Sequence, residues 1–85
     1  MTEAEIRDRI LNVLGNIAPE ADMSKLDSRG RIRDQLDIDS MDFLNFVIGL
    51  HEDLHVDIPE RDYGLLATLD GCVNYLKTAI TLDPR

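Results

Sequence analysis

The chain lacks disulfide partners, tryptophan and long apolar runs. Its 85 residues contain one cysteine, Cys72, and no tryptophan. A lone cysteine excludes an intramolecular disulfide and is typical of a reducing compartment, so we expect a cytoplasmic protein in which Cys72 is a small core residue. No apolar run is long enough to span a membrane, and no signal peptide is visible at the N-terminus. We therefore expect no membrane insertion.

Basic residues are also scarce: nine lysines and arginines accompany 17 acidic residues, for a net charge of −8. Repulsion from a phosphate backbone argues against nucleic-acid binding. The excess lies between residues 34 and 62, where nine acidic residues accompany only Arg61, whereas the rest of the chain is neutral. Such a run is often only a solvated surface. The alternative is an electrostatic docking face for basic partners.

Local patterns predict where the first helix begins and ends. Thr2 and Glu5 have the spacing of a capping box, and Pro19 disfavours continuation of the helix. A long polar loop follows from 20 to 38, with a short helical turn expected at 32–35. Long loops in compact domains are often functional.

Three further helices are predicted, at 40–54, at 60–66 and after Thr68, which is a good N-cap. The apolar stripes of the first and last helices are Ile6, Ile10, Val13, Leu14 and Ile17, and Leu69, Cys72, Val73, Leu76, Ala79 and Ile80. A chain of this length holds one modest core. Residues 1–85 are therefore predicted to form one all-α domain, a small antiparallel four-helix bundle with three longer helices, a short third helix and a long first loop.

The most informative stretch is Asp39-Ser40-Met41-Asp42, where the second long helix begins. Asp39 is a good N-cap, and Asp42 has the spacing to complete a capping box. Ser40 then lies in the first turn, where the helix dipole and unpaired backbone donors favour a phosphate ester. Because no base adjoins Ser40 in sequence, the pattern favours a modified serine and predicts no catalytic residue. An ordinary helix-start serine is the simpler interpretation of the tetrapeptide alone.

The apolar arc of this helix is wider than an ordinary amphipathic helix needs. The residues expected in the core are Phe43, Phe46, Val47, Leu50 and Leu54, and the polar arc holds Asp42, Asn45, Gly49, Glu52 and Asp53. Met41, Leu44 and Ile48 form one flank of the apolar arc. Two interpretations of this flank stay open, the edge of the core or an exposed contact strip.

The run from Leu36 to Pro59, followed by Thr68-Leu69-Asp70, resembles the acyl carrier protein family in order and spacing. Asp39-Ser40-Met41 is similar to the family's Asp-Ser-Leu motif, whose serine carries 4′-phosphopantetheine. The resemblance extends over residues 6–80. It implies that a phosphopantetheinyl transferase moves the arm from coenzyme A to Ser40, and that the arm's thiol holds acyl groups as thioesters.

The resemblance also implies a partner face, formed by Met41, Asp42, Leu44, Ile48, Glu52 and Asp53. Its partners would be acyl-loading and acyl-transfer enzymes with basic docking surfaces, in fatty-acid, lipid or secondary-metabolite synthesis, and the carrier would be a monomer. Asp37 stands where many carriers have glycine, and Asn45 and His51 replace frequent glutamates. These departures suggest a specialised bacterial-type carrier that serves a dedicated acyltransferase or a secondary pathway.

Two rival functions remain, an aminoacyl or peptidyl carrier of the same architecture and an unmodified helical interaction subunit of a lipid-synthesis complex. The acidity and the Asp before Ser40 argue against the first. No metal site is predicted, because His51 and His55 lack further ligands and the aspartates near Ser40 lack the glycine and glutamate of a calcium loop. In the family an acyl chain can enter the bundle, and the candidates to line such a space are Phe46, Ile58, Leu66 and Leu69.

Overall fold

Helix caps and apolar spacing place the helices where the sequence predicts them. The computed structural model describes residues 1–82, and its α-helices are α1 (Glu3–Ile17), α2 (Ile32–Leu36), α3 (Ser40–Leu54) and α4 (Leu69–Leu82). Short 3₁₀ helices occupy Met23–Lys25 and Glu60–Leu66. The predicted small antiparallel helical bundle is confirmed, although the short helix at 60–66 is of the 3₁₀ type. Within the described part of the chain, no helix is long and apolar enough to cross a membrane.

The ends of α1 follow from local hydrogen bonds. The Thr2 hydroxyl accepts from the Glu5 amide at 3.2 Å, and the Thr2 amide donates to the Glu5 carboxylate at 3.0 Å. This is the predicted capping box. At the other end the Ala18 amide donates to the Leu14 carbonyl at 2.8 Å. Pro19 follows directly, so the helix ends as the sequence predicts.

The core forms where α1 packs against both α3 and α4, and the 3₁₀ helix at 60–66 packs against α4. Its buried apolar residues are Ile6, Ile10, Val13, Leu14, Ala18, Ile32, Ile38, Phe46, Val47, Leu50, Val56, Leu66, Leu69, Cys72 and Leu76. Cys72 is a core residue, as predicted: its thiol donates to the Leu66 carbonyl at 3.3 Å, and burial raises its pKa to about 12. The predicted stripes of the first and last helices therefore supply much of the core.

The long first loop is attached to the start of α4. Ile32 is completely buried, and its amide donates to the Ala67 carbonyl at 2.9 Å. The Asp70 amide donates to the Ser28 carbonyl, also at 2.9 Å. Paired backbone groups and one buried anchor give this polar segment a defined path. That path leads to the beginning of α3.

Two contacts fix α3 against α1. A Cβ built on Gly49 would lie 2.7 Å from Cγ1 of Val13, so the absence of a side chain permits this close approach. Nearby, the Arg9 guanidinium binds Asp53 with two hydrogen bonds of 2.7 and 3.0 Å. The hydrogen bond from Arg9 lowers the pKa of the Asp53 carboxyl. Part of the polar arc of α3 thus faces a neighbouring helix.

Candidate functional site

The first turn of α3 presents Ser40 to solvent. The Asp39 carboxylate accepts from the Asp42 amide at 2.9 Å, and the Asp39 amide donates to the Asp42 carboxylate at 3.4 Å. The predicted capping box is therefore confirmed. Ser40 is the first helical residue and is exposed. Its hydroxyl is therefore accessible to a reagent or enzyme that approaches from solvent.

An unusual backbone conformation precedes this turn. Asp37 ends α2 with φ 53° and ψ 45°, a left-handed conformation that glycine adopts most easily. The amides of Asp37 and Ile38 both donate to the Arg33 carbonyl, and Ile38 is buried. The aspartate therefore takes a conformation that suits glycine better. This turn directs the chain from α2 into α3.

A groove of about 1000 Å³ opens beside Ser40, lined in part by Arg31, Arg33, Phe43 and Tyr63. The Arg33 guanidinium donates to Ser40 Oγ at 3.0 Å. Sequence reasoning did not identify Arg33, which lies seven residues earlier and on another helix. Only the folded path of the first loop brings the two side chains together.

The strip formed by Met41, Leu44 and Ile48 is exposed, with 65%, 36% and 44% of each residue accessible to solvent. This settles the choice between a core edge and an exposed strip in favour of the second. Of the five residues expected in the core, Phe46, Val47 and Leu50 are buried, whereas Phe43 and Leu54 are half-buried. One part of the apolar arc of α3 therefore packs in the core, and another part faces solvent.

The acidic side chains of the predicted partner face lie in different surroundings. Glu52 is exposed and lies one helical turn after Ile48, on the same surface as the apolar strip. Asp42 is half-buried and engaged in the capping box. Asp53 is half-buried on the side facing α1, where Arg9 binds it. The structure thus brings Glu52 beside the apolar strip and places Asp53 away from it.

The residues named as candidates for an acyl cavity belong to the packed interior. Phe46, Leu66 and Leu69 are completely buried, and Ile58 is half-buried and packs against the core. The rings of Phe43 and Phe46 are tilted neighbours with centroids 5.9 Å apart. An acyl chain entering between the helices would have to displace these contacts.

The two histidines lie at the C-terminal end of α3. His51 Nδ1 lies 2.9 Å from the Val56 carbonyl, and His55 ends α3 with φ 56°. Within residues 1–82, no cluster of three or more histidine, cysteine or acidic side chains is arranged to hold a metal ion.

The described residues form a small helical bundle with an exposed serine at the start of α3. An acyl carrier protein of Lactobacillus johnsonii is 31% identical over 78 residues, which cover 92% of this chain and 96% of the relative. An acyl carrier protein of Chlorobium luteolum is 30% identical over 77 residues, with coverages of 89% and 96%. The chain spans only 60% of the mitochondrial acyl carrier protein 2 of Arabidopsis thaliana, to which it is 26% identical over 76 residues. No family model matches the chain. The chain belongs to the acyl carrier protein family.

Proposed function

We propose that this chain acts as an acyl carrier protein whose Ser40 carries 4′-phosphopantetheine. The observation that carries the proposal is the exposed Ser40 hydroxyl in the first turn of α3. Family membership and the match of Asp39-Ser40-Met41 to the attachment motif support it. The surroundings fit the group, because the hydroxyl is accessible, a groove adjoins it and a guanidinium touches it.

In this proposal each residue near the site has a limited task. When bound, the arm supplies a thiol that holds an acyl group as a thioester. Ser40 Oγ attacks the phosphorus adjacent to the pantetheine of coenzyme A, so that a phosphodiester forms, the phosphoanhydride bond breaks and adenosine 3′,5′-bisphosphate leaves. A phosphopantetheinyl transferase provides the catalytic groups for that step and takes up the hydroxyl proton. Asp39 holds the first turn of α3 through its capping bond to the Asp42 amide. The carrier itself contributes no general acid, base or oxyanion hole.

The proposed partner face combines the exposed strip Met41, Leu44 and Ile48 with the charges of Asp42, Glu52 and Asp53. Its partners are acyl-loading and acyl-transfer enzymes with basic docking surfaces. Exposed apolar residues rimmed by charge are typical of binding sites, and opposite charge speeds encounter. Asp53 would contribute to the field of the face while remaining bound to Arg9. We further propose that residues 1–85 form one monomeric domain that works in the cytoplasm.

The modification is tested by incubating the purified chain with coenzyme A and a transferase of broad specificity, and then weighing the intact protein. A gain equal to one phosphopantetheine is expected. Ser40→Ala should abolish the gain, whereas Ser24→Ala, at another exposed serine, should retain it. A wild-type mass that does not change would favour the unmodified interaction subunit instead. A gain that survives Ser40→Ala would place the arm elsewhere.

The specialised role is a separate proposal. It rests on Asn45 and His51, both exposed on α3 at positions that are often glutamate in fatty-acid carriers. A docking face with fewer charges should be recognised less well by general fatty-acid enzymes. Full activity of the acylated carrier with a standard elongating ketosynthase would contradict this proposal. Loading of the holo protein by an aminoacylating enzyme would instead identify an aminoacyl carrier.

A further inference from the structure

Arg33 is a positively charged residue at the edge of the acidic segment. It is exposed, and no carboxylate of residues 1–82 comes within ion-pair distance of its guanidinium. Its one recorded side-chain hydrogen bond goes to Ser40 Oγ at 3.0 Å. An arginine without a carboxylate partner, directed at the hydroxyl proposed to be esterified, calls for an explanation.

Hydrogen bonds and a buried neighbour hold the backbone at Arg33 in place. The Arg33 carbonyl accepts from the Asp37 and Ile38 amides at the end of α2. Ile32, the preceding residue, is completely buried and is bonded to the Ala67 carbonyl. The side chain therefore extends from a fixed base toward Ser40. Its contact with the hydroxyl follows from the fold of the loop.

Attachment of the arm would change the charge at Ser40. A phosphodiester carries one negative charge. Asp39 and Asp42, the two carboxylates of the capping box, precede and follow Ser40 in the chain. Like charges at this spacing repel each other. A cation that reaches the phosphate would offset this repulsion, and guanidinium groups bind phosphate oxygens through a planar pair of donors.

We propose that Arg33 is a positioning residue for the phosphodiester that joins Ser40 to its prosthetic arm, binding the phosphate and holding the root of the arm at the mouth of the adjacent groove. The inference rests on the proposed function. The geometry supports it because the phosphorus would be bonded directly to the oxygen that Arg33 already touches. Its non-bridging oxygens would then lie within reach of the same guanidinium without movement of the backbone. Arg31 lines the same groove, together with Asp34, Asp37 and Glu60, so the contact with Ser40 Oγ and not the overall charge of the groove singles out Arg33.

The test compares apo and holo forms of the wild type, Arg33→Ala, Arg33→Lys and Arg29→Ala at low ionic strength. Intact mass first establishes the holo form of each. For each protein we compare the melting temperature of the holo form minus that of the apo form. This difference should be lower in Arg33→Ala than in the wild type by about 2–4 °C, which is the size expected for an exposed charge contact in a small domain. Arg33→Lys should fall between them. Arg29→Ala removes the same charge outside the groove and should behave as the wild type. High salt should reduce the difference.

A second readout is the ³¹P resonance of each holo protein. Loss of Arg33 should shift the resonance and sharpen it as the root of the arm gains motion, whereas Arg29→Ala should leave it unchanged. If all four proteins gain the arm but Arg33→Ala matches the wild type in both readouts, the role of Arg33 is overturned and the carrier function stands. If the wild type gains no arm at all, both proposals fail together. A change of equal size in Arg29→Ala would indicate a general charge effect and would also overturn the specific role.

Discussion

The two sides of α3 differ in how they meet the rest of the protein. On one side Gly49 lies directly against Val13, and Asp53 is bound by Arg9, so α1 holds the helix closely. On the other side Leu44 and Ile48 face solvent, with Ser40 at the exposed first turn. One helix therefore serves as a fixed part of the bundle and as an open surface. Rigid support on one side allows the other to present a hydroxyl and apolar groups in a constant arrangement.

The largest expected effect separates two leucines of α3. Leu50 is completely buried, whereas Leu44 is 36% exposed. Leu50→Ala should reduce the free energy of unfolding by about 2–5 kcal/mol, because it leaves a cavity in the core. Leu44→Ala should change it by no more than about 0.5 kcal/mol.

Urea denaturation monitored by circular dichroism measures both variants. In transfer assays with a cognate acylating enzyme, compared at the same folded fraction, Leu44→Ala should have the larger effect. It should raise the KM for the carrier. Equal destabilisation by the two substitutions would erase the distinction between the two sides of α3.

The second prediction concerns two glycines. Gly49→Ala should destabilise the fold by about 1–3 kcal/mol, because the new methyl group would overlap Val13, whose branched side chain moves little. Gly15, in α1, has open space where a Cβ would lie. Gly15→Ala should therefore stabilise by up to about 1 kcal/mol through helix propensity. Relative to the wild type, the denaturant midpoint should fall in Gly49→Ala and rise in Gly15→Ala. A stabilised Gly49→Ala protein would show that α1 and α3 are not tightly packed there.

A third prediction concerns the turn that leads to the open end of α3. Asp37→Gly should stabilise the fold by about 0.5–1 kcal/mol, since it relieves a left-handed aspartate. Asp34→Gly, the same change within α2, should destabilise by about 0.5 kcal/mol or less, because the backbone there is helical. Thermal melts of the pair provide the measurement. Destabilisation by Asp37→Gly would indicate that its carboxylate has a role that the conformation does not reveal.

The smallest effect concerns the ion pair that ties α3 to α1. Because Arg9 lowers the pKa of Asp53, the pair contributes stability above the unfolded-state pKa of an aspartate, about 3.9. That contribution is lost as the pH falls through the lower pKa of the folded state. Asp53→Asn should thus have a lower free energy of unfolding than the wild type at pH 7, with a smaller loss than Gly49→Ala causes. This difference in the free energy of unfolding should disappear in acid.

Asp8→Asn, at an exposed aspartate of α1 outside this ion pair, provides the control for the loss of one carboxylate. Denaturation midpoints measured from pH 7 down to pH 3 test both variants. A gap that widens in acid would be inconsistent with the lowered pKa of Asp53.

Features that depend on near neighbours in sequence were predictable. The capping boxes of Thr2 and Asp39 join residues three apart, so the pattern alone specifies their hydrogen bonds. The approach of Gly49 to Val13 and of Arg33 to Ser40 was not predicted. Both depend on the packing of separate elements, and periodicity shows which residues share a helix face but not which neighbour that face meets. For the same reason periodicity alone leaves two interpretations of the Leu44 flank open.

The placement of the single cysteine has a practical consequence for measuring occupancy. Cys72 is completely buried, and its high pKa keeps the thiol protonated at neutral pH. Alkylating reagents attack accessible thiolates, so a maleimide should spare this residue in the native protein. In the arm-bearing form the reagent would react with the solvent-facing prosthetic thiol instead. The unaltered chain would therefore permit titration of how many molecules hold a free arm, without substitution of Cys72.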